Sequence, residues 1–267
     1  MRVLLAGLMF LLLLTTAGVA SSCQGKADAC GGKEQISSPE TSSELDKILA
    51  NLRKQNSLIE TYQARIEYIY IEDPDWAPTK TTRKGDIYYK KANKRSTLLI
   101  RFESMRLDDE EPEKRKVEYL FDGVWLKIVD HQNETVNSYQ KSKKDKPVDA
   151  FELISRDFPL IGFTGKDDLR KNFEISLSGE EENSGKTAVK LILKPKKGSN
   201  YAKNYSNIDF YIDKRTFLPV RMITCSTEGD IYDIALLYAK INKKLKDAVF
   251  RLETPSHFIE NVQKLKK

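Results

Sequence analysis

Residues 61–70 read TYQARIEYIY. Side chains two apart on a strand share a face, so Tyr62, Ala64, Ile66, Tyr68 and Tyr70 form one apolar stripe and Gln63, Arg65 and Glu67 a polar one. One greasy face and one charged face predict a half-buried strand at the start of a sheet. Immediately before it, Leu45, Ile48, Leu49 and Leu52 recur at helical spacing and predict an amphipathic helix over 44–57, capped by Ser42 or Ser43. Immediately after it, Pro74 and Pro78 make 72–82 a loop.

The period of two then persists. Strands are predicted at 83–91, 97–105, 117–121, 124–130 and 135–140, with Asp122-Gly123 as a two-residue hairpin turn. A polar stretch ending at Pro147 interrupts them. A second helix is expected over 148–158, with Phe151 and Ile154 on its apolar side, and a short third one over 166–171. Strands resume at 173–177, 187–193, 208–212, 220–226, 232–241 and 250–252. No βα alternation suggests a parallel sheet. The expected fold is mainly β: a single, strongly curved antiparallel sheet of about 11 strands, an open and incomplete barrel with two or three short helices as lid. Such a sheet must cover its apolar face, and the helices are the available cover. Strand alternation alone does not distinguish a packed interior from a hollow one.

The chain opens MRVLLAGLMFLLLLTTAGVASSC. One Arg, an apolar run from Val3 to Leu14 and small residues to Ser22 form the three-part pattern of an export signal, too short to span a bilayer as a stable helix. Residues 1–22 are therefore expected to be a signal peptide, 23–43 a polar tether and 44–267 the folded domain. Cleavage after Ala20 would release a soluble protein, whereas Ala20-Ser21-Ser22-Cys23 also matches a lipobox, in which Cys23 is lipidated and tethers the chain to a membrane. The other two cysteines, Cys30 and Cys225, either bridge or are unrelated thiols. The 45 Lys and Arg against 39 Asp and Glu give a net charge of +6, spread through the strands. In an exported protein that pattern reads as solvated strand faces or contact with anionic lipid head groups, and no nucleic-acid partner is expected.

Several local motifs, in a shared order, resemble the periplasmic outer-membrane lipoprotein carrier and lipoprotein-sorting family (LolA-like). They are Leu58-Ile59-Glu60-Thr61-Tyr62-Gln63-Ala64-Arg65-Ile66, then Lys84-Gly85-Asp86-Ile87-Tyr88-Tyr89-Lys90-Lys91-Ala92-Asn93, then the hairpin of 117–127. Leu191-Ile192-Leu193-Lys194-Pro195-Lys196 follows, then the pair running from Ile212-Asp213 through Leu218-Pro219-Val220-Arg221 to Glu228-Gly229-Asp230, and last 250–255. The resemblance covers about 44–258. It implies an eleven-stranded open barrel whose cavity takes the acyl chains of lipoproteins or lipids. Partners would be an inner-membrane transporter or an outer-membrane acceptor, in the periplasm and, if Cys23 is lipidated, at the outer membrane surface. Where the family carrier has a lid-latching Arg, this chain has Lys91, with Ala92 in place of a Pro.

Combining alternation with that resemblance, Tyr68, Ile87, Tyr89, Lys91, Leu98, Ile100, Phe102, Tyr119 and Phe121 are expected to line the cavity wall, and Phe151 and Ile154 to form its lid. No catalysis, cofactor or metal is expected. There is no Gly-x-Ser-x-Gly elbow, phosphate-binding glycine loop or zinc spacing, and the two histidines, His131 and His257, stand apart from any such motif.

Overall fold

The computed structural model describes residues 39–75, 78–92, 95–151, 169–183 and 185–265. Helix α1 (Pro39–Ser57) leads into β1 (Thr61–Ile71), β2 (Lys80–Ala92), β3 (Arg95–Leu107), β4 (Glu113–Phe121), β5 (Trp125–Asp130) and β6 (Thr135–Gln140). A short helix α2 (Leu169–Asn172) precedes β7 (Phe173–Asn183), β8 (Lys186–Pro195), β9 (Tyr205–Asp213), β10 (Pro219–Ser226) and β11 (Ile231–Ile241), and β12 (Ile259–Gln263) ends the described chain.

These twelve described strands form one sheet in the order β12-β6-β5-β4-β3-β2-β1-β11-β10-β9-β8-β7, so it is open, with β12 and β7 at its edges. The order is that of two antiparallel meanders joined where β1 pairs with β11, Tyr68 opposite Ile234. Two expectations are corrected here. The strand expected at 250–252 is a 3-10 turn, Asp247–Phe250, running into irregular chain, and the true last strand is β12. That strand pairs with β6 in parallel, the one parallel pairing among the described strands. The pattern at 250–252 was too short to hold a ladder, and β12 carries no alternation because all five of its residues are exposed.

Register shifts in the β1–β11, β2–β3, β3–β4, β9–β10 and β7–β8 pairings mark bulges. Bulges bend strands and increase twist, and they let this sheet curl. At the β2–β3 bulge the backbones approach so closely that a Cβ on Gly85 would lie 1.8 Å from the Arg101 carbonyl oxygen, and only glycine fits.

On the inner face one core runs through Tyr62, Ile66, Ile87, Leu98, Ile100, Phe210 and Met222, and α1 buries Leu45, Ile48, Leu49 and Leu52 against it. The helix reaches across from β1 to the β7 end, where Asp46 pairs with Arg170 of α2.

The outer face is partly buried as well. After β11 the chain crosses back: Asp247 pairs with Lys90 at 2.6 Å, and the Phe258 ring meets His131 at 5.6 Å before β12 begins. Beneath this C-terminal crossing lies the outward row Arg101, Glu118, Val129 and Val136, paired across β3 to β6, of which Glu118 and Val129 are fully buried. Cys225 is buried and disulfide-bonded; Cys23 and Cys30 lie outside the described residues.

Candidate functional site

The inner face of β1 to β4 can be followed row by row, because directly paired residues of antiparallel strands share a face. The first row is Tyr62, Tyr89, Leu98 and Phe121; the second is Ala64, Ile87, Ile100 and Tyr119. Then come Ile66, Gly85, Phe102 and Val117, and finally Tyr68, Arg83 and Met105. Eight of the nine residues expected on the wall therefore share this face. Ile87, Leu98, Ile100, Phe102 and Phe121 are at most 1% exposed and Tyr68 and Tyr89 each 4%, while Tyr119 is half-buried against them. In this conformation the stripe is packed under its cover.

Lys91 is the exception. It is exposed, and its ammonium lies 3.7 Å from Glu60, across the end of β1. Alternation placed it on the wall, but β2 has run past the covered part of the face by that point. It latches nothing inside.

The cover is fastened by a different residue, Asp149. Its Oδ2 accepts hydrogen bonds from the Tyr89 hydroxyl at 2.9 Å and the Ser96 hydroxyl at 2.8 Å, tying it to β2 and β3. Its Oδ1 accepts from the Phe151 N–H at 3.0 Å, and the Ser96 Oγ accepts from the Ala150 N–H at 2.7 Å, so both amides that open this helical segment are capped. Burial, with the Asp149 charge beside it, pushes the Tyr89 hydroxyl far above its ordinary range, so it stays a neutral donor.

Held this way, Phe151 is 1% exposed. Its ring stacks on Tyr89 at 4.3 Å and meets Tyr62 edge-on at 6.3 Å. Ile154, the other expected lid residue, lies outside the described residues. Sequence reasoning passed over Asp149, although an Asp two residues before an apolar helical residue is a capping signal.

At the far end of the same face the stripe turns tyrosine-rich. Rings follow one another from Tyr119 to Phe102 at 6.1 Å, Phe102 to Tyr68 at 6.0 Å, Tyr68 to Tyr232 at 6.5 Å and Tyr232 to Tyr70 at 5.3 Å. Burial first, and then the Asp230 carboxylate, push Tyr232 up to about 12. Arg83 stands in this group opposite Tyr68. It too was missed, although the parity that singled out Lys91 runs back along β2 to Arg83.

A separate cavity of about 290 Å³ opens among Glu67, Ile69, Glu182, Asn183, Arg221, Asp233 and Ala235, on the opposite side of β1 and β11 from the stripe. Its main charges are already satisfied, since Arg221 donates twice to Asp233, at 2.8 and 2.6 Å. Among the described residues no group of three or more His, Cys, Asp and Glu side chains is placed to hold a metal ion, and no helix is long and apolar enough to cross a membrane.

No family model matches the chain, and no curated protein matches it. Solved structures do. An uncharacterized conserved protein from Thermus thermophilus is 13% identical, with a TM-score of 0.47, over 82% of this chain and 99% of that one. LolA superfamily protein NE2245 from Nitrosomonas europaea is 13% identical, with a TM-score of 0.33, over 78% of this chain and 97% of that one. The MucA/MucB complex of Pseudomonas aeruginosa matches at 11% identity and a TM-score of 0.42, over 79% of this chain and 61% of that one.

Proposed function

We propose that this protein is a non-catalytic binder of acyl chains that serves lipoprotein or lipid transport in a bacterial cell envelope. The observation that carries the reading is how the apolar face is covered. No second sheet closes over it among the described residues; α1 and residues 149–151 do, and the latter plug the stripe with one ring, Phe151, pinned by one carboxylate. Each buried methylene is worth roughly 0.8 kcal/mol, so an acyl chain that displaces Phe151 exchanges one apolar occupant for another at little net cost in exposed surface. The protein then holds the chain out of water without any chemistry. The order of sequence motifs supports the same reading, as does the signal-like N-terminus for an envelope location, with Cys23 as the membrane tether if it is lipidated.

Native mass spectrometry of the full chain, purified from its own envelope fraction, tests this. Bound acyl lipid or lipoprotein that exchanges for a fluorescent fatty-acyl probe is the expected result. Protein that carries nothing and ignores the probe would overturn it. A second reading, a module that grips another protein, is favoured by one feature: β12 is a wholly exposed edge strand, with Ile259 and Val262 64% and 59% exposed. Such an edge can accept an extended segment by strand addition.

A further inference from the structure

The inner face ends in a polar anomaly. Arg83 stands in the tyrosine group opposite Tyr68, and the charge of its guanidinium acts on Tyr68 and Tyr119. Its Nε is buried and has no hydrogen-bond partner, and among the described residues it has no ion pair. Three strands further along, on β10 and in the next row, Thr224 pairs with Tyr232, is fully buried, and its Oγ1 also has no partner. Buried polar atoms without partners are rare in folded proteins, because each carries an unrecovered desolvation cost. The one on Arg83 marks a place where a ligand supplies what the chain does not, and Thr224 lies about 14 Å away across the sheet.

The charge at that place is defined. The surrounding tyrosines are held neutral, burial being the main cause of the upward shift at Tyr68, Tyr70, Tyr119 and Tyr232. Arg83 therefore faces phenols and aromatic rings, and no carboxylate among the described residues forms an ion pair with it. Just beyond, Glu72, Glu228 and Asp230 form an acidic border around Tyr70 and Tyr232, and their charges act against a second negative group. The distance is defined as well. Tyr62, against Phe151, and Tyr68, beside Arg83, are six residues apart on β1, or about 20 Å of strand, which is comparable with an extended fatty acyl chain.

We propose that Arg83, within its ring of tyrosines, receives the single negative charge at the head of an amphiphile whose acyl chain lies along Ile66, Ile87 and Ile100 toward Phe151. The group recognised is a fatty-acid carboxylate or a phospholipid phosphodiester. A guanidinium suits either, since its planar fork donates to two oxygens at once. The inference rests on the acyl-chain reading above and adds to it a polarity, with the head at Arg83 and the tail at Phe151.

The test titrates the delipidated full chain with cis-parinaric acid and, separately, with its methyl ester. The acid is expected to bind about tenfold tighter than the ester, the effect of one charged hydrogen-bonding partner. R83Q should bind both at the ester's affinity, and R83K should recover part of the preference; thermal unfolding of each variant establishes that it is folded. Equal binding of acid and ester by the wild type would overturn the head site while leaving the acyl-chain reading standing. Binding of neither would overturn both. Displacement of the probe by oleate or by phosphatidylglycerol identifies which head the site takes, and displacement by neutral diacylglycerol as effective as by phosphatidylglycerol would again overturn the head site.

Discussion

Glu118 shows at the scale of one residue how the outer face is held. Burial alone would raise its carboxyl, but hydrogen bonds from His131 and Arg101 and the charges of Arg101 and Lys116 outweigh burial and hold it below the ordinary range. Arg101 Nε donates to it at 2.6 Å, His131 Nε2 lies 2.8 Å away and Lys116 Nζ 3.6 Å. A carboxyl whose folded value is depressed contributes stability above its unfolded value and loses it as pH falls through the folded one. We expect E118Q to cost about 3 kcal/mol at neutral pH, because it takes from the partly exposed Arg101 and Lys116 the buried carboxylate they share. That deficit should shrink as pH falls from the unfolded carboxyl's ordinary value of about 4.3 through the lower folded one; urea unfolding across the pH range checks it. Placing Tyr119 and Phe121 on the wall implies that Glu118, beside Tyr119, faces outward, as it does. Its burial was not legible, because the cover comes from the C-terminal crossing, far away in sequence. Lys91 failed in the opposite sense: its parity was right, but a strand pattern does not say where along the strand the cover stops.

Among the elements, those with a strong period were read closely. β1, β2, β3 and β5 lie within a few residues of their expected spans, since each buries one face and exposes the other. Helix α1 begins earlier, at Pro39, than its apolar spacing indicated. The latch is a property of the lid segment and β2–β3 together. D149A removes the helix cap, worth about 1 kcal/mol, together with the bonds to Tyr89 and Ser96. Exchange of the Ala150 and Phe151 amides should then speed up about tenfold or more while the β2–β3 ladder stays protected, and uptake of an acyl probe should become faster. Hydrogen exchange by mass spectrometry and stopped-flow fluorescence read the two effects. Slower uptake in D149A would mean that the segment guides the chain in and does not obstruct it.

For the whole molecule, one open curved sheet with a helical cover was legible, but not its order. The strands form two meanders, and β1 of the first lies against β11 of the second. Neither pairing partner across that seam is near the other in sequence, and propensity is silent on which strands at a distance meet. The arrangement predicts slow folding, because loop closure must precede the contacts that reward it. Refolding from urea should take milliseconds to seconds, and substitutions in the β1–β11 seam should slow it more than equally destabilising ones within the β4–β6 hairpins. Kinetics independent of the seam would mean that each meander folds by itself.

The same arrangement bears on how the chain can be handed from one machine to another. A polypeptide made from its N-terminus offers β1 to β6 first, as a meander with two bare borders: one awaits β11 and the other awaits β12, the last strand among the described residues. Until β11 has emerged from the ribosome both borders are open templates for any passing strand, and until β12 has emerged the β6 border still is. Synthesis and completion of the fold are thus separated in time, and throughout that interval the chain is still open to the partners that would carry it onward.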